Sequence, residues 1–210
     1  MSPNVILIDA AYIDRVAAEL RRHFSAELQR TLPKADLAQW LICTALDAEI
    51  VAEGRAAEGD DAVQCVFLHD KEVKVLDNFA PGNFALNIDG KAFAEPGVGE
   101  FVMACCPIER VTTLEDLCAE SLEALLDDKN VKRLAVIADL EGSTPESRSL
   151  TKRIVKLCAK HREAEADATT PAPATDVTLF VMRPVEGDGF AQQILGFSLL
   201  SALGISSDEL

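Results

Sequence analysis

Five stretches of the chain are short and almost continuously apolar: residues 4–9, 63–69, 100–106, 133–138 and 176–182. Runs rich in Val, Ile, Leu or Phe, without polar alternation, predict strands covered on both faces, as in the centre of a parallel sheet. Between them the apolar positions change to helical spacing. Ile13, Val16, Ala17, Leu20, Phe24 and Leu28 make one stripe, with Arg15, Arg21 and Arg22 off that face. Pro33 interrupts the chain, and further helices are predicted over residues 35–50, 113–126 and 147–162. Strand–helix alternation with right-handed crossovers defines a three-layer α/β fold. The expectation is a mostly parallel, five-stranded sheet of order 3-2-1-4-5 with helices on both faces.

The remaining stretches are irregular. Residues 52–61 read as a charged, glycine-containing loop, and the Gly- and Pro-rich residues 79–99 as loop with at most a short helix near 83–88. Residues 163–175 (EAEADATTPAPAT) are low in apolar bulk and read as a flexible insertion. Residues 190–203 predict an apolar C-terminal helix. Its Phe190, Ile194, Leu195, Phe197, Leu199, Leu200 and Leu203 exceed one helical face, which predicts burial against a second copy in a homodimer. No internal repeat is visible, so residues 1–210 are expected to form a single domain.

Charge narrows the choice of partner. With 35 Asp and Glu against 20 Lys and Arg the formal net charge is -15, so binding a nucleic acid would require a local basic patch. The first residues lack a basic region followed by a long apolar run, and residues 190–203 fall short of the ~20 needed to cross a bilayer. A cytoplasmic protein without a membrane span is therefore expected. The six cysteines are expected to be reduced thiols, mostly packed in the core, and none forms a CxxC pair.

Phosphate-loop, dinucleotide, zinc-protease and serine-hydrolase motifs are absent, and Cys158 with His161 lacks a visible third partner. Carboxylates at strand ends remain. One apolar run leads directly into Asp9 and another into Asp139 and Glu141. Adjacent parallel strands lie about 4.8 Å apart, so Asp9 and Asp139 could share one Mg²⁺ or Mn²⁺ that activates water for attack on phosphorus. Alternatively both residues cap helices, a common place for Asp.

An apolar strand ending in Asp9, followed later by TTLEDLCAESLEALLDDKNVKRLAVIADLEGS, resembles the NYN branch of the PIN-like nucleases. Those are small α/β domains that cleave RNA at an acidic Mg²⁺ site. The resemblance implies that Asp9, Asp116 and Asp139 are catalytic metal ligands, with Glu141 as a further ligand. Two positions depart from the pattern: Tyr12 stands where that family has Asn, and Ile137–Gly142 reads Ile-Ala-Asp-Leu-Glu-Gly rather than Ser-Gly-Asp-x-Asp-Phe. The chain also looks similar to a bacterial family known only as a domain of unknown function, which implies no activity.

Arg148, Lys152, Lys156 and Lys160 recur every four residues and make one basic row, with Leu150, Ile154, Leu157 and Cys158 facing inward. This row could carry the phosphate backbone of single-stranded RNA, or it could be an ordinary solvated face. The expectation is thus a metal-dependent phosphodiesterase, with a non-catalytic PIN-like domain of binding or oligomerising role as the alternative. A phosphatase of the haloacid dehalogenase type is disfavoured, because Ala11 stands where its second Asp belongs.

Overall fold

The computed structural model describes residues 2–50, 62–109, 111–142, 144–166 and 175–209. In chain order the strands are β1 (Asn4–Asp9), β2 (Ala35–Asp36), β3 (Val63–Asp70), β4 (Phe79–Ala80), β5 (Ala92–Glu95), β6 (Gly99–Ile108), β7 (Arg133–Ile137), β8 (Asp176–Val181) and β9 (Ala191–Ile194). The α-helices are α1 (Ala10–Glu27), α2 (Leu37–Asp47), α3 (Leu114–Asp127), α4 (Pro145–Ala166) and α5 (Leu195–Ala202). The main sheet has order β5-β6-β3-β1-β7-β8-β9, and β2 pairs with β4 in a separate bridge. All pairings in the main sheet are parallel except β5 with β6.

The continuous apolar runs follow from coverage on both faces. Along β1, Ile6 and Ile8 join one core with α1, α2 and α5, while Val5 and Leu7 join a second core with α3 and α4. A strand between two helical layers has no solvent face, so both sets of alternating side chains must be apolar.

Three expectations are corrected. The sheet has seven strands, not five: the expected strands form its inner run β6-β3-β1-β7-β8, and β5 and β9 are added at the two edges. Phe93 on β5 stacks on Phe101 of β6 with ring centroids 4.7 Å apart, which anchors an otherwise exposed, four-residue edge. Residues 190–203 are not one helix, because β9 comes first and α5 begins at Leu195. The apolar excess there is absorbed inside the chain: Leu195, Leu199 and Leu203 are fully buried beside α1 and α2, and only Phe197 is left largely exposed. α5 therefore presents no second apolar face that would require burial against a second copy. Finally, α4 continues to Ala166, into the segment expected to be flexible. Residues 167–174 of that insertion and the loop at 52–61 lie outside the described residues.

No helix among the described residues is long and apolar enough to cross a membrane. All six cysteines are free thiols, with Cys65, Cys118 and Cys158 buried.

Candidate functional site

From β1 the chain builds outward through β3 to β6, then returns to place β7 on the other side of β1. The gap between the carboxyl ends of β1 and β7 is therefore the topological switch point, where α/β sheets leave a crevice. A cavity of about 210 Å³ opens there, lined by Asp9, Ala11, Tyr12, Arg15, Glu115, Asp139, Ser147 and Leu150.

Asp9 closes β1 and is the N-cap of α1, its carboxylate accepting the Tyr12 backbone N–H at 3.0 Å. It is only 6% exposed, and its pKa is pushed up to about 6. Burial is the main cause, reinforced by the negative charges of Asp139 and Glu115 and opposed by the hydrogen bond from Tyr12. Asp139 follows β7, and its carboxylate accepts from the Arg15 guanidinium at 2.6 Å. Arg15 lies 5.3 Å from the ring centroid of the buried Tyr12, so the Tyr12 ring is the platform that holds the guanidinium over Asp139. The loop after β7 closes tightly: a side chain at Gly142 would collide with Ser147 on α4 and come within 3.1 Å of the Asp139 carboxylate.

The other two expected ligands are engaged elsewhere. Asp116 is ion-paired with Arg153 of α4 and accepts from the Thr113 hydroxyl, and these hydrogen bonds hold its carboxyl below the usual range. Glu141 accepts the backbone N–H groups of Met182 and Arg183 just beyond β8, while burial raises its pKa. Glu115, one residue before Asp116, reaches the cavity instead. Successive helical residues are turned by about 100°, so two neighbours cannot face the same site. Arg148, Lys152, Lys156 and Lys160 are all exposed along α4.

Arg15, Tyr12 and Glu115 are thus the site residues that sequence reasoning passed over. One signal was available: Tyr12 and Arg15 are three apart on a helix and share a face.

This donor set does not fit the expected Mg²⁺ or Mn²⁺. Two of four expected ligands point away, a third carries a guanidinium, and among the described residues no group of three or more His, Cys, Asp or Glu is arranged to hold a metal.

Fold and site together define an α/β protein with a mostly parallel sheet and an acidic, arginine-closed crevice at its switch point. The chain belongs to a family of unknown function (DUF6621), which matches it over residues 1–210. No curated protein and no solved structure matches it.

Proposed function

We propose that this chain acts by binding a ligand, not by metal-dependent phosphodiester cleavage. One observation carries the reading: the Arg15 guanidinium lies 2.6 Å from Asp139, on the carboxylate that the expected cation would need. The guanidinium offsets the charge of Asp139 as a cation would. Being a fixed, monovalent hydrogen-bond donor, it cannot act as a Lewis acid toward water. Melting scans with and without Mn²⁺, combined with incubation on single-stranded RNA, test this. The expected result is an unchanged melting temperature and intact RNA. A Mn²⁺ stabilisation near the 2.7 kcal/mol expected at about a hundredfold excess over Kd, lost in Asp139→Asn and accompanied by cleavage, would overturn it.

A second reading, a PIN-like Mg²⁺- or Mn²⁺-dependent ribonuclease, is favoured by a different observation. Asp9, Glu115 and Asp139 come from three separate elements and line one cavity. In that reading Glu115 takes the part expected of Asp116, Arg15 must leave Asp139, and the row Arg148, Lys152, Lys156 and Lys160 meets the RNA backbone.

A further inference from the structure

We propose that a second, larger crevice, over the carboxyl ends of β1, β3 and β6, binds a small organic amine with an apolar arm. The proposal rests on the binding reading above and names the ligand class. The crevice has a volume of about 570 Å³, inside the roughly 300–1,000 Å³ range of small-molecule sites. It adjoins the acidic cavity, since Ala11 and Arg15 line both.

Most of the wall area is apolar. Leu76, Phe84, Ile108 and Leu114 line the crevice, joined by Val73 and Val75, which are 47% and 37% exposed. Large aliphatic side chains facing water around a cavity offer apolar area for a ligand to cover.

One polar group is oriented within this lining. His69, at the end of β3, is 6% exposed, and its ring stacks on Phe84 with centroids 4.1 Å apart. Its Nδ1 lies 2.8 Å from the Asp70 carbonyl oxygen. A carbonyl has no proton to give, so Nδ1 donates, and in the neutral ring Nε2 is left as an acceptor. No described residue donates to that Nε2. Packing and one hydrogen bond therefore fix the ring while its second nitrogen lacks a partner among the described residues, and His69 is part of the cavity lining.

The charged groups set the sign of the ligand. Asp14, Asp70 and Asp77 line the crevice against a single cation, Arg15, which is paired with Asp139 and Glu19. Asp14 is satisfied by Asn78, and Asp70 accepts the Glu72 N–H. Asp77 is exposed and has no hydrogen bond or ion pair among the described residues. Carboxylates outnumber cations in the lining, and the net charge of -15 adds to the attraction for a cation. An ammonium group supplies donors and positive charge together, and its apolar arm fills the aliphatic wall.

The full chain is titrated calorimetrically with phenethylamine and hexylamine, and with 3-phenylpropanoate and hexanoate as carboxylate counterparts of similar shape. Both amines are expected to bind with Kd of about 1 mM or tighter, and the carboxylates at least about tenfold more weakly. Asp77→Asn, an exposed change that leaves the fold intact, is expected to weaken amine binding by about tenfold, as for one lost charge-assisted hydrogen bond. In the wild type, the His69 Nε2 resonance is expected to move on amine addition. No amine binding up to about 10 mM, or equal binding of amines and carboxylates, overturns the proposal. So does a His69 resonance that stays still. Cleavage of RNA with Mn²⁺ would instead overturn the binding reading, a result the amine titration cannot produce.

Discussion

Arg15 and Asp139 are 124 residues apart in sequence, yet the guanidinium of one lies 2.6 Å from the carboxylate of the other. The contact joins a helix that follows the first strand to the loop that follows the seventh, and it gives the switch point its own counter-ion. Both side chains are partly exposed, at 49% and 28%, so the pair is a screened one whose value lies in what it excludes.

Replacing Arg15 tests that role. Arg15→Gln is expected to lower stability by less than about 1 kcal/mol, with a larger loss at low salt, because an exposed pair is worth little. Freed of the guanidinium, Asp139 and its neighbour Asp9 are expected to give a weak response to Mn²⁺ where the wild type gives none, because no third carboxylate among the described residues is arranged to join them. Urea denaturation with and without Mn²⁺ measures both effects. An equal, absent response in the two proteins would show that the carboxylates do not act as a set.

The raised pKa of Asp9 makes stability depend on pH in a definite direction. Its folded pKa of about 6 lies above the ordinary 3.8, so the folded state binds this proton more tightly. The contribution is fully present below 3.8 and is lost as pH rises through about 6. A difference of this size corresponds to about 3 kcal/mol at neutral pH. Asp9→Asn removes the charge and keeps the cap, since Asn caps about as well as Asp. At pH 7 the variant is expected to be more stable than the wild type, and the gap should close by pH 4. A gap independent of pH would refute the assignment.

Gly142 is expected to tolerate no side chain. A Cβ there would meet the Ser147 Cβ at 2.5 Å and the Asp139 carboxylate at 3.1 Å. Ser147 is held by α4 and by Thr144, so it cannot simply swing aside. Gly142→Ala is expected to cost about 1–3 kcal/mol, as overpacking does, and to raise the salt sensitivity of stability if Asp139 is pushed from Arg15. Thermal denaturation at two ionic strengths would measure this. A neutral substitution would mean that the loop is looser than its geometry.

Phe197 is the exposed large apolar side chain of α5, and so the residue that a contact between copies through this helix would use. It is 67% exposed, but the flanking Leu195, Leu199 and Leu200 are buried within the chain. Phe197→Asp is expected to change stability by no more than about 0.5 kcal/mol, and to leave the sedimentation coefficient unaltered. A drop in sedimentation coefficient would revive the homodimer.

Residue patterns alone determined the centre of this protein. A strand buried on both faces must be apolar at every position, so β1, β3, β6, β7 and β8 stand out without knowledge of their neighbours. Helix starts are equally local: Asp9, Asp36 and Thr113 each cap the helix that follows, because the capping bond spans only three residues. Asp9 and Asp139 could be placed at one sheet edge because parallel strands end on the same side.

What tertiary structure decided depends on contacts between distant segments. The four-residue sequences AFAE and AQQI are too short to announce strands, and AQQI is half polar; they become β5 and β9 because β6 and β8 offer unpaired backbone groups beside them. The choice of Glu115 over Asp116 was invisible because both lie in the first turn of α3. Only the rotation of α3 against α4, where Arg153 takes Asp116, sets which acid faces the cavity. Likewise nothing near Arg15 in sequence announces Asp139, and nothing near His69 announces Phe84. Side-chain periodicity says which residues share a face, but the partner that face meets is chosen by packing.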